Sequence, residues 1–507
     1  MFWRMVVTAS PALILAIPLL FAFVITLMGR LFEKSVQGLF LSSLIITSFF
    51  VGVMAFEVLT VEGWSYVFGG EQPRPQQVSS FFRIIFVADG FSVLATITIA
   101  IIASVTGIYS YAYLKGESHL NKYYTLFLLT WAGINGMVLT NDLFNMFVWF
   151  EVTTIASSGL VAFQNYNRKS IEAALRYLVL SVAGGLFFLF SIALLYGQYG
   201  VLNLELLSEQ INGSFNDKLA VGLIMIVFAM KSSSAPFHHW TPEVHGESPG
   251  PVSPFIAIMV MGYLLALFRL SIGVFSAGLS VEILGSILMI LGILSMVVGI
   301  IMGFYNDDIK LIVVYLSISQ IGYILLAMGV GLTTLNTGRY EEFGSLAFTG
   351  GLFHVINDAV YKTLLFLSVI TVGHAAGTRD LNELSGIFYK MPYTSIFFLI
   401  GALSISGFPP FSGFYSKFLI YRSTYSFHPL LGLFTIVMTA LIFLMMAKLF
   451  SSVFLGLTES TSEKEIPLMM FLSMIILSII VIIFSIIPHI VISEIISPAV
   501  EALAMVF

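Results

Sequence analysis

An all-α polytopic membrane protein is the fold class this sequence predicts, and three observations carry it. Of its 507 residues 58% are hydrophobic and only 10% charged, against about 25% charged in ordinary soluble domains. The apolar residues fall into about fourteen runs of roughly 20 residues, each long enough to cross a hydrocarbon core about 30 Å thick. No soluble domain fits between them; the longest extramembrane pieces are Glu62 to Gln77 and Asn203 to Lys218.

The runs justify themselves in order. The first, 11–30, follows Arg4 and has no small-residue cleavage site, so it is expected as a retained helix. The others cover 37–58, 84–114, 122–140, 142–164, 171–196, 218–240, 250–272, 277–303, 309–332, 345–375, 393–423, 428–455 and 466–490. Lysine and arginine orient them. With the N-terminus outside, the inner loops hold Arg30, Lys34, Lys115, Lys122, Arg168, Lys169, Arg176, Lys310, Arg379, Lys390, Lys448 and Lys464. The outer side holds fewer: Arg4, Arg74, Arg83, Lys218, Arg269, Arg339 and Arg422. Both termini are therefore expected outside.

Composition also excludes. A net charge of -5 is small for this length and argues against a nucleic-acid partner. There is no cysteine, which rules out disulfides and thiolate ligation of iron–sulfur clusters or zinc by this chain. Redox chemistry is expected elsewhere.

The stretch Asn141 to Glu151 organises the rest. At about 1.5 Å per residue, Glu151 lies roughly 13 Å below Asp142, near the middle of the hydrocarbon. Apolar sequence continues to Phe163, so the carboxylate cannot be moved to the surface, and an acid at that depth is a functional candidate. Three lysines also lie inside apolar runs: Lys231, Lys362 and Lys417. Lys231 is the expected partner of Glu151. The bland reading is a fixed ion pair pinning the fifth and seventh helices. The functional one is a pair that responds to a proton, since an isolated ion pair in hydrocarbon adds little net stability.

Two runs are interrupted beside a lysine. The seventh reads Met230-Lys-Ser-Ser-Ser-Ala-Pro236 and the twelfth Gly407-Phe-Pro-Pro410, followed by Lys417. Proline frees a carbonyl one turn back, tolerable in a bilayer only where protein or water satisfies it. Paired breaks point to an inverted-repeat transporter. They are five runs apart, which divides the chain into 1–120, a first repeat 121–272, a second repeat 273–455, and a C-terminal helix within 456–507.

His354, Asp358 and Lys362 recur at i, i+4 and i+8 and share one helix face, as a proton relay or as a locally neutralised pair. His238 follows the seventh-helix break and is a candidate pathway residue; His239 is expected at an interface and His245 in a loop. A metal site from His238, His239, His245 and Glu247 matches no strong pattern. Asp89 and Asp142 are expected near interfaces as structural groups. The eighth run has no ionisable side chain from Val252 to Phe268, and Met259 and Met261 stand where a relay group would be useful.

These residues resemble the antiporter-like subunit family shared by respiratory complex I, the multisubunit Mrp sodium/proton antiporters, and archaeal membrane-bound hydrogenases and their sulfur-reducing relatives. The matching stretches are Asp142 to Glu151, Lys231 to His245, Pro249 to Ser253, Asp308 to Lys310 with Ser317 to Tyr323, His354 to Lys362, Gly377 to Leu384, and Gly407 to Lys417. They span roughly residues 85 to 450 and are nearest the Mrp D-type and archaeal hydrogenase-type subunits. The resemblance implies fourteen helices, two inverted five-helix repeats with helices seven and twelve broken, and a midplane ion path through Glu151, Lys231, His238, Lys362 and Lys417. It implies H+ movement coupled to Na+ within a larger complex, further antiporter-like subunits as neighbours, and iron–sulfur and nickel–iron or related centres in partner subunits.

Two departures stand out. The family's helix-eight lysine or histidine is replaced at Met261 or Gly262, and a second helix-eleven histidine by Asp358. The long lateral helix of the largest members is not expected. The expectation is an ion-translocating subunit of a prokaryotic cell-membrane respiratory complex of hydrogenase or sulfur-reductase type. A Mrp antiporter subunit is the alternative within the family. A non-pumping scaffold and a stand-alone solute carrier are the readings from other classes.

Overall fold

The structure, a computed structural model, describes residues 2–29, 33–61, 63–68, 84–164, 167–276, 281–335, 337–456 and 466–504. Arg30, Arg74, Arg83 and Lys464 from the charge count, and Glu62 and 69–77 from the first extramembrane piece, lie outside the described residues.

The chain opens with α1 (Phe2–Thr8), α2 (Ser10–Met28) and α3 (Glu33–Thr60), then an antiparallel pair of strands, β1 (Trp64–Val67) and β2 (Ile85–Ala88), in which Trp64 faces Ala88. Next come α4 (Gly90–Tyr113), α5 (Leu120–Leu139), α6 (Leu143–Val161), α7 (Arg168–Tyr199) and the short α8 (Leu204–Gln210). The first broken element is α9 (Phe215–Lys231) with α10 (Trp240–Glu247), followed by α11 (Val252–Leu270), α12 (Val281–Phe304), α13 (Ile309–Thr334), α14 (Ser345–Ala376) and α15 (Ile387–Lys390). The second is α16 (Pro392–Ile405) with α17 (Ser412–Phe427). The chain continues through α18 (Pro429–Phe454), α19 (Leu468–Ile486), α20 (Pro488–Val491) and α21 (Ser497–Ala504).

Among the described residues, 11 helices are long and apolar enough to cross a membrane. Three expected runs are not among them. The run at 122–140 is helical as α5 up to Leu139 but carries Lys122, Thr125, Thr130 and Asn135. Those at 218–240 and 393–423 are each cut in two at the break. The run at 84–114 needs correction at its start, because 85–88 form β2 and the helix begins only at Gly90. Ile85-Phe86-Val87 is β-branched and aromatic, which suits a pleated strand, and Asp89 then caps α4 by accepting from the Ser92 backbone N–H at 2.6 Å.

Three helices form the centre. Every residue of α11 is buried, as is α14 from Ala347 to Val372 and most of α13. The outer helices present large apolar side chains such as Val179, Leu186, Leu430 and Ile486. Lipid tails meet them without penalty, so close packing rather than water exclusion must hold such helices together. The pair α12 and α13 does this with glycine. A Cβ at Gly292 would stand 2.7 Å from the Gly322 carbonyl oxygen, and one at Gly285 2.5 Å from that of Gly329.

Candidate functional site

The α9 helix ends at Lys231 because three serines and Pro236 follow, with Ser233 at φ 64. Three carbonyls at the end of α9 are taken up inside the protein. That of Phe228 accepts from the Ser232 N–H at 2.8 Å, that of Ala229 from the Ser234 N–H and hydroxyl, and that of Met230 from the Trp240 indole at 3.0 Å. Residue satisfaction of this kind is what lets a helix break persist at membrane depth.

The break leaves Lys231 1% exposed. Its ammonium donates to the Thr154 hydroxyl at 2.6 Å and lies over the rings of Phe150, Tyr177 and Tyr263 at 4.7, 5.0 and 5.4 Å. Glu151 follows Phe150 and lies one α6 turn before Thr154, but the expected direct ion pair is absent among the described residues. The Glu151 carboxylate instead turns into the notch at Gly185 of α7, where a Cβ would fall 1.9 Å from Oε1. That oxygen is buried and has no hydrogen-bond partner. The two charges therefore act on each other across a gap.

On α14, His354, Asp358 and Lys362 lie along one buried face. Lys362 is in direct ionic contact with Asp358. The His354 ring bonds Ser416 of α17 through Nδ1 at 2.9 Å and Gln320 of α13 through Nε2 at 3.2 Å. Next to Ser416, Lys417 is 0% exposed; it donates to the Ile405 carbonyl at 2.7 Å, the last carbonyl of α16, and lies 4.6 Å over Tyr323. A lysine thus stands at each helix break, before it in the first and after it in the second.

His238 is buried. It touches the exposed His239 ring at 4.5 Å, its Nδ1 has no partner, and no hydrogen bond joins it to Lys231. No group of three or more potential metal ligands occurs among the described residues.

Between the two sets runs α11. Gly262 is packed by Ile134 of α5, whose Cγ2 would be 2.7 Å from a Cβ there, so no long relay side chain fits at that position. A small cavity of about 10 Å³ lies beside α11 at Ala257 and Val260, the size that admits one water. Ser233, Thr241, His245, Ser317 and Lys362 are among its lining residues, with Ile318, Ile321 and Phe366 making the wall mostly apolar.

Three residues were misplaced by sequence reasoning. His245, expected in a loop, is 3% exposed and stacks on Phe366 at 5.0 Å. Lys310, counted as an inner-loop charge, is 2% exposed and donates to the Ser248 carbonyl at 3.2 Å. Arg269, counted outside, is 6% exposed and pairs with Asp89 at 2.9 Å while bonding Ser92. Each stands within a turn or two of an expected helix end, where hydropathy cannot tell a loop from a covered helix terminus.

The profile of the NADH:quinone oxidoreductase/Mrp antiporter transmembrane family matches residues 140–443. NADH-quinone oxidoreductase subunit N of Desulforudis audaxviator is 30% identical over 417 residues, 81% of this chain and 79% of that one. Na(+)/H(+) antiporter subunit A1 of Staphylococcus aureus is 29% identical over 511 residues, 96% of this chain but only 62% of its own length, so the chain spans less than two thirds of that relative. A chain of the membrane-bound sulfane sulfur reductase, an archaeal respiratory membrane complex, shares the fold with a TM-score of 0.86 at 25% identity over 98% of both.

Proposed function

The chain belongs to the NADH:quinone oxidoreductase/Mrp antiporter family, and from that premise we propose that it translocates H+, coupled to Na+, as one membrane subunit of a redox-driven respiratory complex of the archaeal hydrogenase or sulfur-reductase type. The observation that carries this reading is the string of buried titratable groups on both sides of α11, with a cavity of one-water size beside it. A protein that needed only a membrane anchor would not keep Glu151, Lys231, Asp358, Lys362 and Lys417 there, because each buried charge costs several kcal/mol before pairing.

The route runs from Glu151 to Lys231, through Ser233, Thr241 and the small cavity to Lys362, then by Asp358 and His354 to Lys417. Thr241 donates to the Ser233 hydroxyl at 2.7 Å, which begins the detour around Met261. His238 belongs to the route as a side entrance near the break. Transfer is electrostatic: at an effective dielectric of about 20, unit charges roughly 8 Å apart interact by about 2 kcal/mol. Neutralising Glu151 therefore changes the field at Lys231 enough to bias the next step.

In this reading α5, the broken pair α9 and α10, and the broken pair α16 and α17 each make one crossing, which completes the fourteen. The repeats are α5 to α11 and α12 to α18, with the break in the fourth crossing of each. Both termini face outward in a prokaryotic cell membrane. Further antiporter-like subunits adjoin the chain, and iron–sulfur and nickel–iron or related centres reside in partner subunits.

The test is Glu151→Gln in the assembled complex reconstituted in vesicles, with H+ flux as readout. Loss of flux with assembly intact is expected; unchanged flux leaves only the scaffold role. The second reading, a subunit of a Mrp Na+/H+ antiporter, draws on the likeness to antiporter subunit A1 across 96% of this chain. It predicts H+ flux driven by a Na+ gradient without any electron donor.

A further inference from the structure

Lys310 has no part in the route just drawn, and its surroundings give it one. It forms the floor of a polar cavity of about 470 Å³ that opens to the surface past the exposed His374 and Gly377. Gln164 and Asn167, between α6 and α7, Glu247, at the end of α10, and Arg379 are also in the walls. We propose that this cavity is the aqueous mouth of the H+ route and that Lys310 passes the proton between it and His245. The inference rests on the ion-translocating reading.

Three observations carry it. First, the Lys310 ammonium is buried yet forms no ion pair among the described residues; its hydrogen bond goes to the neutral Ser248 carbonyl. The nearby acid Asp308 is engaged by Arg379 at 3.1 Å, and Glu247 belongs to the cavity wall. A buried ammonium is costly without a charged partner, so an inert strut is a poor use of it. Second, His245 stands between two spaces. Its neighbours Gly246 to Ser248 line the mouth, while His245 lines the small cavity with Lys362. Third, the Ser248 carbonyl that Lys310 meets lies only three residues after His245, whose buried Nδ1 has no hydrogen-bond partner. The groups that face Lys310 are thus Asp308, Arg379, Glu247 and His245.

The step balances. An N–H bond of protonated Lys310 breaks as one forms on the neutral His245 ring. The amine left behind takes a proton from hydronium in the mouth and releases water. The imidazolium passes its proton on through the water-sized cavity towards Lys362.

The alternative role for Lys310 is a strut that ties the first turn of α13 to the α10–α11 link. Arginine separates the two, since it keeps the charge and the donors but does not give up its proton. In the assembled complex in sealed vesicles, Lys310→Gln and Lys310→Arg are both expected to lower H+ flux at least about 10-fold. Flux within about two-fold of wild type in Lys310→Arg overturns the relay. A second arm does not need either variant to assemble. The chain has no cysteine, so Gln164→Cys supplies its single thiol. Modification by an impermeant cationic methanethiosulfonate is expected to cut the flux of the same preparation several-fold, reversibly with dithiothreitol. Unchanged flux after complete modification overturns the mouth. Glu151→Gln keeps the two levels apart: normal flux there sinks the translocation reading itself, whereas a dead Glu151→Gln beside an active Lys310→Arg sinks only this inference.

Discussion

Gly185→Ala moves one carboxylate and little else. A Cβ at 185 would stand 1.9 Å from Glu151 Oε1 and 3.0 Å from its Cδ. Ordinary contact begins near 3.5 Å, so the carboxylate must withdraw by roughly 1.5 Å. The obstacle is the end of a flexible side chain, so the two helix backbones need not part. Alanine also favours a helix over glycine by about 1 kcal/mol, so α7 is not weakened. Misplacing a reacting group by about 1 Å costs on the order of 100-fold in rate; transfer across a gap is more tolerant, so a loss of about 10- to 100-fold is expected. The assay is initial H+ flux in vesicles, normalised to assembled complex. Gly197 is the control, because it lies in the same helix and a Cβ there meets nothing within 4 Å. Gly197→Ala is expected to stay within about two-fold of wild type. Wild-type flux in Gly185→Ala would refute the reasoning, and so would an equal loss in Gly197→Ala. Combined with Glu151→Gln, the Gly185 change should add nothing, since both act on one group.

Other perturbations test other parts. Ala257→Leu fills the small cavity beside α11 and should cut flux at least about 10-fold, at an overpacking cost of about 1–3 kcal/mol; Ala257→Ser should spare it, and flux measured on the pair decides. Gly292→Ala pushes a methyl against the backbone of Gly322 and Leu326 and should destabilise by about 1–3 kcal/mol, read as a lower unfolding midpoint of the purified complex. Burial pushes the Asp142 carboxyl, just outside the α6 span, from 3.8 up to about 6, against the backbone N–H groups of Asn145 and Phe144. The folded state then holds that proton more tightly than the unfolded chain, so stability falls as pH rises from about 4 through about 6, by on the order of 3 kcal/mol. Asp142→Asn should flatten this dependence in pH-resolved thermal unfolding; an unchanged slope would contradict the assignment.

Much of this arrangement was legible in the chain. Lys231, Lys362 and Lys417 all lie inside long apolar runs, although by position alone Lys417 could equally snorkel to an interface. The breaks announced themselves through Pro236 and the Pro409–Pro410 pair, and the i, i+4, i+8 spacing put His354, Asp358 and Lys362 on one face. What was hidden depends on contacts between distant segments. Lys310 follows Asn306-Asp307-Asp308 and reads as a loop charge; it is buried because the α10–α11 link folds over it. His245 follows Pro242 and is covered only once Phe366 of α14 packs on it. The Glu151–Lys231 contact was expected from depth alone, and depth says nothing of the Gly185 notch that draws the carboxylate aside. The strand at 85–88 merged with the apolar run behind it, since hydropathy does not distinguish a short buried strand from a helical turn.

H+ transfer between Lys231 and Lys362 requires a wet connection past α11, and ordered water in the His245–Lys362 cavity is its most direct measure. A high-resolution experimental map of the assembled complex should contain a water within hydrogen-bond distance of Lys362 and of Ser317, Thr241 or His245. A dry, collapsed space there, with Ala257 and Val260 packed against Ile318 and Phe366, would contradict it.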